Sequence, residues 1–146
     1  MKNSIITKIS VLGIALFMSF TASAQKNKFL EGKKYTVNFY EIKPTGRGKA
    51  VASNVLIKSG KVESDLMLEK LSADPGVYTV TLDSTYTEDD QQVRLVKFES
   101  DIAQDKNEIK WEVTVTNYDI EGTCVQSKGG VEKKRYEFDG SEKVKK

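Results

Sequence analysis

The chain has 146 residues, 38% of them apolar, with 23 basic and 21 acidic side chains and no histidine, which removes the commonest general base and transition-metal ligand together. So even a charge balance argues against nucleic acid or an anionic membrane as the main partner, since both demand a strong basic excess. The single cysteine, Cys124, leaves no intrachain disulfide to form, so the fold must rest on packing.

At the N-terminus, Lys2 and Lys8 precede an apolar run from Ile9 to Phe20 that ends in Thr21-Ala22-Ser23-Ala24. This reads as a secretory signal peptide, residues 1–24, with cleavage after Ala24 and a periplasmic or secreted product. The run is short of the ~20 apolar residues of a spanning helix, so no membrane span is expected once it is removed. No cysteine near the cut offers a lipid attachment point. Loss of Lys2 and Lys8 brings the basic count level with the 21 acids. Residues 25–146 are expected to form one domain.

After a polar lead containing Phe29-Leu30, the first strand is predicted over Lys34 to Ile42, with Tyr35, Val37 and Phe39 on one face and Tyr40 and Ile42 on the other. Cover for that second face is expected from Phe29-Leu30. Lys43 to Gly48 reads as a turn, followed by a strand from about Lys49 through Ile57. Ser59-Gly60 then makes a tight hairpin into a third strand, Lys61 to Ser64. Asp65 to Leu71 is the one helical stretch, with Asp65 as its cap, Leu66, Leu68 or Leu71 on the sheet, and Asp74-Pro75-Gly76 ending it. The competing reading continues the third strand through Leu66 and Leu68.

Val77 to Tyr86 alternates with Tyr78, Val80, Leu82 and Tyr86 inward. Glu88 to Gln91 is a turn. In Val93 to Ser100 the apolar parity slips, and a bulge between Leu95 and Val96 would reconcile it. A turn at Asp105-Lys106-Asn107 leads to Ile109 through Asn117, where Trp111, Val113 and Val115 share a face. With Tyr118-Asp119 as the loop, Val115 stands opposite Gly122, Val113 opposite Cys124 and Trp111 opposite Gln126. The last strand, Lys134 to Phe138, follows Gly129-Gly130.

Eight strands joined by short turns, with one short helix, predict an all-β antiparallel up-and-down barrel; a two-layer β-sandwich is the alternative. Gly32-Lys33-Lys34-Tyr35, Ser59-Gly60-Lys61-Val62, Trp111 to Gly122 and Tyr136 to Gly140 together resemble the lipocalin or calycin-like barrels, in particular small secreted bacterial proteins of that shape. The resemblance implies a barrel that can hold an apolar molecule. Lys34 stands where a lipocalin has its tryptophan, with Tyr35 next.

No catalytic set is expected. With one cysteine and no histidine, neither a Cys-His pair nor a zinc cluster can be assembled, and the carboxylates fall in turns or on wet faces. Glu88-Asp89-Asp90 is the densest acidic run and lacks the spacing and glycine of a calcium loop. No cofactor is predicted. Cys124 is expected to be buried and inert. The inward aromatics allow two readings: a packed core, or a site for a small apolar or amphipathic ligand formed by Trp111, Tyr35, Tyr78, Tyr86, Phe98 and Tyr136. The functional expectation is a non-enzymatic binding protein. Its alternative is a surface-acting interaction or structural module with a filled core, betrayed by Tyr40, Ile42 and Leu95 gathered in one exposed patch.

Overall fold

The computed structural model describes residues 26–143, so the expected signal peptide lies outside the described residues. The strands are β1 (Lys33–Lys43), β2 (Gly46–Arg47), β3 (Val51–Lys58), β4 (Lys61–Glu63), β5 (Gly76–Glu88), β6 (Gln91–Gln104), β7 (Asn107–Thr116), β8 (Asp119–Lys128) and β9 (Val131–Glu142). Among the described residues one helix, α1 (Asp65–Leu71), sits between β4 and β5. Every pairing is antiparallel, and β1 also pairs with β9, so the sheet closes in a ring. The eight expected strands make the ring. β2 adds a ninth, two residues long, folded back on Ile42 and Lys43.

Alternation drives the layering, because successive side chains on a strand point to opposite faces. Tyr35, Val37 and Phe39 of β1, Ile109, Trp111, Val113 and Val115 of β7, and Tyr136 and Phe138 of β9 are all buried. Two-residue turns hold the register. Ser59-Gly60, Asp89-Asp90 and Gly129-Gly130 each place both central residues at positive φ, the geometry that matches strand twist in a hairpin.

Three local expectations are corrected. The β7–β8 loop is Asn117-Tyr118, not Tyr118-Asp119, so Val115 pairs with Ile120, Val113 with Gly122 and Trp111 with Cys124. The slip is two residues, which keeps the inward face intact. Asn117 takes the turn because it tolerates φ 55° and ties back to β6: its N–H donates to Arg94 O and its Oδ1 accepts from Arg94 N, both at 2.9 Å.

The bulge lies on the partner strand, between Val80 and Leu82 of β5, rather than between Leu95 and Val96. An extra residue in one strand reverses the parity beyond it. Tyr78 therefore points inward, whereas Leu82 and Tyr86 are each 40% exposed. Tyr86, expected inside, is outside.

The helix forms as expected, but Ser64 caps it in place of Asp65: Ser64 is extended and its Oγ accepts from Met67 N at 3.5 Å. Asp65 instead accepts from Asn54 Nδ2 at 3.0 Å. Leu66, Met67 and Leu71 are buried, while Leu68 is half-exposed. Seven residues are too few for a free-standing helix, so that buried face is what stabilises it.

Both ends of the ring are covered. At the end carrying the Ser59-Gly60 and Asn117-Tyr118 turns, the lead segment folds over with Leu30 fully buried. Phe29 lies between Lys33 (4.7 Å) and Arg94 (4.8 Å). It therefore covers the start of β1, not the far end as expected; there, Arg47 lies 3.9 Å from the Tyr40 ring instead. At the opposite end α1 is tied down by Gln126 Nε2 donating to Leu71 O (3.4 Å) and Gln104 Nε2 donating to Ser72 O (2.9 Å).

Candidate functional site

Two regions can be built from the residues upward: the interior, and a groove on the outer face. Alternation on β1, β5, β6, β7 and β9 sends Tyr35, Tyr78, Phe98, Trp111 and Tyr136 into the interior, all of them buried. Tyr86 is not with them. Within, the rings pack on one another: Phe39 and Phe138 at 5.1 Å, Tyr78 and Phe98 at 5.1 Å, Trp111 and Phe138 at 5.8 Å, and Phe39 and Tyr136 at 6.4 Å. Such tilted and edge-on pairs are the arrangements aromatic quadrupoles prefer.

Glycines make room for this packing. Gly122 and Gly140 stand where a Cβ would collide with backbone: the Glu112 carbonyl for the first, the Thr36 carbonyl and Val37 Cα for the second. The strands meet closely there because no side chain separates them.

The polar groups inside are few. Tyr78 OH donates to Glu31 Oε2 at 2.7 Å and accepts from Asn27 N at 3.0 Å. Glu31 also accepts from Gly60 N at 2.9 Å, so one carboxylate joins the lead, the β3–β4 turn and β5. By contrast, Tyr35 OH, Ser100 Oγ and Trp111 Nε1 are buried with no hydrogen-bond partner in the protein. Ser100 and Trp111 are cross-strand neighbours. Each unpaired buried group costs about 1–3 kcal/mol.

Burial also fixes the ionisation of the interior. Desolvation raises the Tyr35 and Tyr78 phenols well above their ordinary value, and raises Tyr136 in the same direction. It pushes the Cys124 thiol up as well, so the nucleophilic thiolate is suppressed. The interior presents neutral phenols, an indole and a thiol among hydrocarbon. That chemistry suits packing or the cradling of an amphipathic molecule.

The outer region is a concave groove of about 490 Å³ running across β6 to β9, lined in part by Lys97, Glu99, Glu112, Glu121, Glu137 and Asp139. Strand register stacks its charges. Glu99 faces Glu112, and Glu121 faces Asp139, like-charged neighbours that repel. Lys110 Nζ at 3.4 Å from Glu112 and Arg47 Nη2 at 3.1 Å from Glu137 offset part of this. Among the described residues no cluster of three or more potential ligands is arranged to hold a metal ion. The wet parity of these carboxylates is readable from the sequence, but their assembly depends on the register, which it is not.

Tyr40, Ile42 and Leu95 are half-buried and do not form the single exposed patch expected of a surface-acting module. Tyr40 and Ile42 lie on β1 and Leu95 on β6, separated by β7, β8 and β9. No family model matches the chain, and no curated protein or solved structure resembles it closely enough to count as a relative.

Proposed function

We propose that this is an exported, non-enzymatic β-protein that works through its outer surface, as an interaction or structural module at the cell envelope. The observation that carries the reading is the crowded interior: inward aromatics pack on those of neighbouring strands, Phe39 on Phe138 and Trp111 on Phe138, while Leu30 of the lead is buried at one end and Met67 and Leu71 of α1 at the other. A preformed small-molecule site is concave and accessible, and side chains packed on one another beneath two covered ends favour a filled core over such a site. The acidic outer groove, its like-charge pairs only partly compensated by Lys110 and Arg47, is a surface whose remaining repulsion a cationic partner would relieve.

A second reading, an interior site for a small amphipathic ligand, draws support from one observation. Tyr35 OH, Ser100 Oγ and Trp111 Nε1 are polar atoms turned inward without protein partners, and a ligand bearing polar groups would satisfy them. Native mass spectrometry of gently purified protein, with displacement of a hydrophobic dye, separates the two. The surface reading expects the mass of the bare chain and no dye binding. A co-purified small molecule released by Trp111→Ala would overturn it in favour of the interior.

A further inference from the structure

Strand β5 is sheltered on one side only. Its pairing with β6 runs from Tyr78 to Glu88, but β4 covers it only at Gly76 and Val77, and Tyr78 N adds one bond to Gly60 O. From Thr79 to Glu88, no described strand pairs with the other edge. The lead reaches this stretch through side chains alone, by way of Asn27 Nδ2 on Asp83 Oδ2. Open edges in natural sheets are blunted by lysine, proline or shortness, since otherwise their free backbone groups recruit another strand. This one is long and holds no proline, lysine or arginine. Its outward row beyond the bulge is Leu82, Ser84 and Tyr86, apolar at both ends.

We propose that this edge is a dimerisation strand, and that its occupant is the same edge of a second copy of the chain, running antiparallel about a two-fold axis at Ser84. That register is the one that sets Leu82 of each copy opposite Tyr86 of the other, an aromatic–aliphatic cross-strand pair formed twice. Ser84 then meets its own counterpart. On the opposite face Asp83 falls opposite Thr85, so no like charges meet between Leu82 and Tyr86. Asp83 is also already neutralised by the bidentate Arg94 guanidinium, at 2.8 Å through each oxygen. An isologous pairing of this kind closes after two copies, which consumes both open edges and stops further growth. The bulge at Thr81 supplies the geometry, because it turns Leu82 and Tyr86 outward where a neighbour can reach them. The inference goes beyond the surface-module reading and stands whether or not the interior takes a ligand.

Sedimentation velocity across a wide concentration range tests it on the protein as the cell produces it. The expected result is a monomer–dimer equilibrium that Leu82→Lys with Tyr86→Lys shifts toward monomer by about tenfold or more. Both side chains are exposed, so the variant should keep the far-ultraviolet circular dichroism of the fold and melt cooperatively at the midpoint of the parent under dilute, monomeric conditions. A second measurement reads the register. Ser84→Cys should give a covalent dimer on mild oxidation, whereas Glu121→Cys, on β8, should not, and the buried Cys124 is silent in both. A monomer at every concentration, a dimer indifferent to the two lysines, or equal cross-linking of the two cysteine variants would overturn the proposal.

Discussion

The Phe138 ring lies over Gly122, its Cζ 3.0 Å from the point a Cβ on that glycine would occupy. The two are cross-strand partners, and Val113 flanks Gly122 on the other side. The aromatic ring therefore takes the volume that the glycine leaves free, and covers a backbone that would otherwise be bare.

Gly122→Ala should therefore destabilise the fold by about 1–3 kcal/mol, the usual cost of overpacking a core. Gly140→Ala should cost at least as much. The atoms in its way, the Thr36 carbonyl and Val37 Cα, are backbone like the Glu112 carbonyl at Gly122, and the Thr36 carbonyl stands closer than that one. Urea unfolding followed by the emission of Trp111 measures both. An unchanged midpoint for either variant would show that the strands separate there more easily than their pairing implies.

Ser64→Ala removes the hydroxyl that accepts from Met67 N, and the expected loss is about 0.5–1 kcal/mol, the lower part of the N-cap range because the bond is long at 3.5 Å. Asp65→Ala removes only an exposed link to Asn54 and should cost less. If the order of the two is reversed, Asp65 is the true cap.

Stability should fall at both ends of the pH scale, for separate reasons. The Arg94 guanidinium beside Asp83 holds that carboxyl below its ordinary value, so its contribution is present above the unfolded value and lost as the pH falls through the folded one. The pair is about one-third exposed and screened by salt, which limits this acid limb to less than about 1 kcal/mol. Burial raises Tyr35 and Tyr78 above the ordinary phenol value of 10.0. Unfolded phenols release protons above that value while the folded ones do not, so stability should decline as the pH rises past it. Asp83→Asn should flatten the acid limb and Tyr35→Phe the alkaline one, each read from urea midpoints against pH.

Cys124 should resist a thiol reagent in the native state and react at once in denaturant, because the residue is buried and its thiol is pushed up. Trp111, the sole tryptophan, should emit at short wavelength and be shielded from acrylamide. Quenching in the native state would place the indole within reach of solvent and reopen the question of a path inward.

Much of the architecture was legible because the inward set on β1, β7 and β9 repeats strictly at every second residue, and each such strand ends in turn residues with a conformational reason to be there. The register of β7 on β8 was not, since pairings two residues apart bury the same face and differ only in which residue accepts the turn; Asn117 decided it through its bonds to Arg94. The bulge was hidden because Val80, Leu82 and Tyr86 keep alternating as though nothing intervened. Only pairing with Phe98 and Lys97 shows that Thr81 is extra. The candidate site suffered from the same fault, losing Tyr86 to the outside. The plug formed by Phe29 and Leu30 has no period at all, so nothing in its spacing announced which end of the ring it would close.

The seam between β1 and β9 joins the first long strand of the chain to the last, from Tyr35 with Glu142 to Ile42 with Arg135. Until β9 has been synthesised, β1 and β8 must both wait with bare flanks, and the greasy half of every strand between them lacks its final wall. A version truncated before Val131 therefore never gains that wall and should be prone to clumping.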